Sequence, residues 1–293
     1  MKKQALIISF LLFLGFNLVY GQDTITTYFS NRWRKCNKEY AIYYRKAYPD
    51  SSGMWIVKDY HMNGQLQMSG KYSDKKLKKQ QGPAIFYHYN GVVSQTGQYI
   101  DNKMTGIWKR YYSNGDIESI GKKINDKQDS IWTYYNINCK TPFGQMNYIN
   151  GKAEGESKWY YESGKICEIA TYKKDKIKNK VDYDEDGNII EIKEKDGNVE
   201  FIGGNMNMVR FLEANLKYPN ELLSIGKEGS VMFHFIVRKD GTMDKIEFQK
   251  SDERLFNQEA VRVFSLIKKL TPARQHGRIV EQECTFPVNF RIR

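Results

Sequence analysis

The sequence predicts a mainly β protein in two parts: a long single-sheet meander of β-hairpin repeats, then a small α+β domain with a three-stranded antiparallel sheet and helices. Composition is the first reason. Tyr and Phe are abundant at 21 and 15, whereas Pro is scarce at 6 and Gly reaches 23, which favours many short strands joined by tight turns. The second reason is an aromatic unit, ending in Asn-Gly, that recurs through the middle of the chain. The third is a change of hydrophobic pattern near residue 200.

The N-terminal segment predicts export. Lys2 and Lys3 precede an apolar run from Ala5 to Tyr20, and Gly21 supplies a small residue at a cleavage position. These features define a secretory signal peptide, and the run is shorter than the roughly 20 residues that a membrane-spanning helix needs. We therefore expect a cleavable signal over residues 1–21 and a periplasmic or cell-envelope location. The alternative is a retained inner-membrane anchor.

Charge and reactive side chains argue against nucleic-acid binding and catalysis. Lys and Arg outnumber Asp and Glu by 46 to 34, a net charge of +12, but the excess is spread along the chain rather than concentrated in a nucleic-acid-binding motif. With four histidines and no phosphate- or dinucleotide-binding fingerprint, we expect no enzyme, no cofactor and no metal site. The four cysteines lack metal-ligand spacing, so we expect free or buried thiols.

The repeat predicts one β-hairpin per copy. Asn-Gly between two aromatic-rich runs is a strong hairpin signal, because both turn residues can adopt φ > 0. A lone hairpin is only marginally stable, so successive hairpins should pair edge to edge into a meander of about 11–12 strands. We place this sheet at residues 54–197, after a strand-rich lead-in at residues 22–53. The copies end at Gly64, Gly91, Gly115, Cys139, Gly164 and Gly187, and most carry a small residue six positions later, at Gly70, Gly97, Gly121 and Ala170.

This pattern resembles the bacterial variant of the MORN repeat, which also occurs in a family described as antitoxin-like. The resemblance implies a scaffold or spacer rather than a particular activity. If the recurring Trp and Tyr side chains are exposed, the sheet would instead bind a glycan or the cell wall. Glycan or cell-wall binding is therefore one alternative function.

The last part of the chain, residues 198–293, predicts the order helix, hairpin, helix, strand. Apolar residues at helical spacing predict a helix from Met206 to Leu216. Alternating residues from Gly229 to Val237 and a return strand through Phe248 predict a hairpin, and Phe256–Leu270 forms an amphipathic pattern. The final strand alternates apolar residues from Cys284 to Ile292.

Several spaced landmarks in this region resemble the TonB C-terminal domain. Members of that family bind a short segment of an outer-membrane transporter by adding it as a strand to the sheet, a mode called β-augmentation. The resemblance places the binding edge on the final strand, residues 280–293. The landmarks are Tyr218, Pro219, Gly229, Asp240, Gly241 and Pro272, and the expected partner-binding residues are Val280, Glu281, Gln282, Glu283, Thr285, Val288, Asn289 and Arg291.

The leading hypothesis is a non-enzymatic, exported envelope protein whose C-terminal domain binds a partner by strand addition, with the repeats as scaffold or spacer. The partner class that the resemblance implies is an outer-membrane TonB-dependent transporter. One alternative is a divergent TonB-type energy transducer with a retained N-terminal anchor and inner-membrane motor proteins as further partners. Such transducers use a Pro-rich linker, whereas this chain has only six prolines, none clustered. Self-association through the edge strand is also open.

Overall fold

The computed structural model describes residues 24–249 and 253–292, so the predicted signal over residues 1–21 lies outside the described residues. A 14-stranded antiparallel sheet, in which each strand pairs with the next along the chain, forms the first part. Its first two strands come from the predicted lead-in, with a short 3-10 helix at Lys38–Tyr40 between them. The strands are β1 Ile25–Phe29, β2 Tyr43–Pro49, β3 Trp55–His61, β4 Leu66–Tyr72, β5 Gln80–Tyr87, β6 Val93–Ile100, β7 Lys103–Tyr111, β8 Ile117–Ile124, β9 Lys127–Tyr135, β10 Pro142–Ile149, β11 Lys152–Tyr160, β12 Ile166–Lys173, β13 Lys176–Tyr183 and β14 Ile189–Ile190.

The second part is the predicted small α+β domain. Its three-stranded sheet has the order β17-β16-β21, and its core is formed by the apolar faces of that sheet and of the helices. The elements are β15 Glu200–Phe201, α1 Gly204–Asn215, α2 Asn220–Leu223, β16 Gly229–Val237, β17 Met243–Gln249, α3 Arg254–Phe264, β18 Leu270–Thr271, β19 Ala273–Gln275, β20 Arg278–Val280 and β21 Gln282–Phe290. The predicted fold class is confirmed.

The Asn-Gly turns adopt a different conformation from the one expected. The prediction that both turn residues take φ > 0 was wrong, because in the first copy only Gly64 does, at 89°. The Gly64 N–H donates to the His61 carbonyl (2.9 Å), and the side chain of Asn63 accepts from the Gln65 N–H (3.0 Å). This is a three-residue loop with a left-handed glycine. Asn contributes through its side chain, which caps the turn.

Two-residue turns with both residues at φ > 0 occur at the opposite end of the sheet. Asp101-Asn102 (48° and 67°) and Asn125-Asp126 (49° and 70°) are examples. Their second residues link neighbouring hairpins: Asp126 accepts a hydrogen bond from the Met104 N–H (2.8 Å), as Asn102 does from the Gln80 N–H (2.6 Å). Each turn of this kind therefore stabilises the hairpin before it.

Tryptophans packed on glycines determine which face of the sheet is buried. Trp108, Trp132 and Trp159 are buried, and they define what we call the tryptophan face. A Cβ atom added to Gly121 would lie 2.3 Å from the Trp132 ring, and one added to Gly144 would lie 2.0 Å from Trp159. In two copies of the repeat, the recurring small residue, Gly97 or Gly121, is therefore the residue on which a tryptophan packs. Because these rings are buried, they cannot supply the exposed ladder on which the glycan alternative depended.

The second part differs from the sequence prediction in the end of one helix and in one additional hairpin. Helix α3 ends at Phe264 rather than at Leu270, because the Leu270 N–H donates to the Gly241 carbonyl (2.9 Å) and Leu270 pairs with Phe201 in a two-stranded sheet. The hairpin β19–β20, which turns at His276-Gly277 with both residues at φ > 0, was not predicted. Tertiary pairing outweighs the helical pattern here.

We predict that Gly121→Ala destabilises the sheet. The added methyl group must displace the Trp132 ring, and overpacking of this kind costs about 1–3 kcal/mol. Gly197→Ala is the control, because a Cβ at Gly197 meets no atom within 4 Å and should change the free energy of unfolding by less than about 0.5 kcal/mol. Chemical unfolding of both variants checks this, and equal stabilities would contradict the packing assignment.

Candidate functional site

Strand β21 lies at the edge of the three-stranded sheet. It pairs with β16 from Gly229 opposite Phe290 to Val237 opposite Gln282, and within residues 24–249 and 253–292 no strand pairs with its outer side. Its side chains alternate, as predicted: Val288 and Phe290 are buried in the core. An edge strand of this kind leaves backbone N–H and C=O groups unpaired and open to another chain.

Pro287 indicates which backbone groups of β21 face outward. It lies opposite Met232 in the ladder, and a proline is tolerated on an edge strand where its nitrogen points away from the sheet. The residues two positions away, Thr285 and Asn289, share that outward orientation because strand residues alternate. The edge therefore offers donors at Thr285 and Asn289 and lacks one at Pro287, between them.

The start of the predicted binding strand was misplaced. Val280 belongs to β20, where it pairs with Ala273, and its side chain is buried with Trp159 in a core that joins the two parts of the protein. Gln282 begins β21, and its side-chain oxygen accepts from the Val199 N–H (2.9 Å). The side chain of Val280 is therefore unavailable to a partner protein, and the side chain of Gln282 is already hydrogen-bonded within the chain.

The two predicted acidic residues contact the repeat sheet. Glu281 accepts a hydrogen bond from the Asn138 side chain (2.9 Å). The Glu283 carboxylate accepts from the Ser113 N–H at 3.3 Å. Both repeat residues lie in turns at the Asn-Gly end of the sheet, so these acids attach the first half of β21 to the scaffold.

The open part of the edge is residues 285–291. Thr285, Asn289 and Arg291 are exposed, as the prediction required. Val288 is buried, and by the same alternation its backbone groups face β16, so neither its side chain nor its backbone is open to a partner. Arg293, at the end of the predicted strand, lies outside the described residues.

The predicted landmarks have structural roles. The Tyr218 hydroxyl donates to the Lys227 carbonyl, and its ring packs edge-on against Phe256 and Phe290. Asp240 accepts from the Thr242 N–H (2.9 Å) in the β16–β17 turn, where Gly241 has φ of 83°. The remaining landmarks lie at element ends: Pro219 precedes α2, Gly229 begins β16 and Pro272 separates β18 from β19.

The hairpin β19–β20, which we call the docking hairpin, attaches the C-terminal domain to the tryptophan face. The His276 ring stacks on Trp159 with 3.7 Å between ring centroids, and its Nδ1 lies 3.0 Å from a Glu168 carboxylate oxygen. The Arg278 guanidinium lies over the Phe143 ring at 4.3 Å. Sequence reasoning missed these residues, although His276-Gly277 is a pair compatible with a tight turn.

Glu168 is a buried carboxylate in the contact between the docking hairpin and the tryptophan face. Burial opposes its ionisation, but hydrogen bonds and charge from His276 and Lys180 outweigh burial and keep the pKa of Glu168 below its ordinary value. Lys180 lies 3.0 Å away. Because the pKa of Glu168 is lowered in the folded protein, the ionised carboxylate stabilises the fold. This stabilisation is complete above the pKa of Glu168 in the unfolded chain and is lost as the pH falls through its pKa in the folded protein.

A row of β-bulges connects the docking hairpin to the rest of the tryptophan face. Beside five of the six Asn-Gly-type turns, the register shifts by one residue, and a bulge re-aims the extra side chain. Phe143 and Cys167 pack beneath the docking hairpin, and Glu118 forms an ion pair with Arg110 at 3.3 Å. We call these extra residues the bulge row: Gln67, Ser94, Glu118, Phe143 and Cys167.

Comparison with known proteins agrees with this architecture. Residues 214–292 match the family model described as Gram-negative bacterial TonB protein C-terminal. Residues 104–122 and 153–174 match the MORN repeat variant, so both predicted resemblances are confirmed in the predicted order. No curated protein matches the chain.

The TonB C-terminal match indicates a TonB-like protein of the Gram-negative envelope and, in general terms, protein–protein interaction. In the part of the chain that the structure describes, no helix is long and apolar enough to cross a membrane.

We predict that Glu168→Gln weakens the attachment of the two parts in a pH-dependent way. Loss of the charged acceptor should lower the free energy of unfolding by about 1–3 kcal/mol at pH 5. The difference from the parent protein should shrink as the pH falls below the ordinary Glu pKa of about 4.3 and through the lowered folded-state pKa, because the carboxylate then becomes protonated in the folded protein as well. Glu156→Gln is the matched control, since Glu156 is an exposed acid of the same sheet. A difference that stays constant with pH would contradict the assignment.

Proposed function

We propose that this is an exported, non-enzymatic envelope protein whose C-terminal domain binds an extended segment of a partner protein at the outer edge of β21. The observation that carries the proposal is the open edge at residues 285–291, with exposed Thr285 and Asn289 and no strand beside it among the described residues. Backbone hydrogen bonds would supply the affinity and the exposed side chains the specificity. The family match supports an outer-membrane TonB-dependent transporter as partner.

The repeat sheet would act as the scaffold. The contacts of the docking hairpin and of Glu281 and Glu283 with the sheet restrict the orientation of β21 and leave residues 285–291 outside these contacts. A preorganised edge binds more tightly because less freedom is lost on association. Pro287 offers no donor, so a strand added at this edge, whether from a partner or from a second copy, pairs there with one hydrogen bond fewer.

A divergent energy transducer is the second candidate, favoured by the match to the TonB C-terminal family. It requires that residues 1–21 remain as an anchor, and it adds inner-membrane motor proteins as partners. The two candidates share the edge of β21 and differ in what else the protein contacts.

We predict that a photo-crosslinking amino acid at Thr285 or Asn289 captures an outer-membrane transporter in intact cells. The same amino acid at Ile131, which is 59% exposed on the opposite face of the repeat sheet, is the control and should not capture it. Thr285→Pro should abolish capture from position 289, because it removes an outward donor, whereas Thr285→Ala should not.

Capture that survives Thr285→Pro in a folded protein would overturn the strand-addition proposal. Cross-links to a second copy of this chain, and none to a transporter, would show that the edge of β21 serves self-association instead of transporter binding. Cross-links to motor proteins by a protein that retains residues 1–21 would favour the energy transducer.

A further inference from the structure

Trp33 occupies a backbone position that glycine fills in most of the corresponding turns. The Trp33 N–H donates to the Ser30 carbonyl (3.0 Å) and the Ser30 N–H to the Arg34 carbonyl (2.9 Å), the pattern that Gly64 completes in the first repeat turn. Trp33 has φ of 54°. A bulky residue in the left-handed region is strained, and such strain is concentrated at functional sites. The corresponding residues of other turns are Gly53, Gly64, Gly91, Gly115, Gly164 and Gly187, all at positive φ.

The strained backbone places the indole ring at the mouth of a pocket. Trp33 stacks on Tyr43 with 4.8 Å between ring centroids and an angle of 8°, and it also contacts Phe29. The ring nevertheless remains 41% exposed and lines a pocket of about 460 Å³ on the tryptophan face. This volume is within the range of small-molecule sites. Tyr43 fixes the orientation of the ring, so the exposed side is a preorganised aromatic platform.

The pocket wall combines apolar and aromatic side chains with polar ones, and it carries no unpaired charge. Gln67 and Ser94, the first two residues of the bulge row, line it, and the Gln67 Oε1 atom is buried with no donor among the described residues. Asp59 is the charged lining residue, and Arg45 neutralises it through two hydrogen bonds of 2.7 and 2.8 Å. A ligand with a net charge would therefore find no free counter-charge in the pocket. A neutral ligand with hydrogen-bond donors would find an acceptor, the Gln67 Oε1 atom.

We propose that this pocket binds a neutral saccharide. One face of a sugar ring would stack on Trp33, since the apolar C–H face of a pyranose complements an aromatic ring. A hydroxyl or acetamido N–H would donate to Gln67 Oε1 after rotation about the soft terminal torsion of that side chain, which would satisfy an acceptor that is costly to leave unpaired. The site is separate from the edge of β21 and does not depend on the function proposed for that edge.

The test is titration of the protein with N,N′-diacetylchitobiose, a neutral disaccharide that carries both hydroxyl and acetamido donors. Tryptophan fluorescence and calorimetry should report saturable binding with a dissociation constant of about 1 mM or tighter. Trp33→Gly should abolish binding while leaving the melting temperature nearly unchanged, because glycine relieves the strain of the left-handed backbone. Gln67→Leu should weaken binding by about tenfold.

Gln145→Leu is the matched control. Gln145 follows Gly144 in β10 and so lies on the face opposite the tryptophans; its replacement should leave binding unchanged. Absence of binding at about 10 mM disaccharide, or binding that persists in Trp33→Gly, would overturn the proposal. Full affinity in Gln67→Leu would also overturn it, since the buried acceptor would then take no part in binding.

Discussion

The β-bulge that stands beside five of the six Asn-Gly-type turns is the constraint on which the tertiary arrangement depends. A regular strand sends alternate side chains to opposite faces, and an extra residue changes that assignment locally. In this sheet the extra residue recurs in five successive repeats, so Gln67, Ser94, Glu118, Phe143 and Cys167 form one row on the tryptophan face. Without the bulges, Phe143 and Cys167 would not meet the docking hairpin.

The bulge row is apolar at one end and polar at the other, and the two ends contribute to different surfaces of the protein. Its apolar end packs beneath the docking hairpin with Val280 and Ala273, which fixes where the C-terminal domain sits. Its polar end, at Gln67 and Ser94, lines the open pocket beside Trp33. The protein thereby carries two separate surfaces: the edge of β21 in the C-terminal domain, which suits an extended peptide, and a pocket on the repeat sheet, which suits a small neutral ligand.

Features that depend on neighbouring residues could be predicted from the sequence, whereas those that depend on register could not. The hairpin repeat and the order of elements in the C-terminal domain follow from local periodicity. The predicted conformation of the Asn-Gly turns was wrong because Asn can cap a turn with its side chain as well as adopt φ > 0. Val280 was misassigned because its burial depends on Trp159, more than a hundred positions earlier in the chain. The docking hairpin was missed because residues 273–280 carry no alternating pattern.

The docking hairpin fixes the edge strand relative to the repeat sheet. Spin labels at Asn289 and Ile131, both exposed, allow the distance between the two parts to be measured by pulsed electron paramagnetic resonance. We expect one narrow distance distribution that broadens in His276→Ala combined with Arg278→Ala, because these side chains make the stacking contacts with Trp159 and Phe143. A distribution that is already broad in the parent protein, and unchanged by the substitutions, would contradict it.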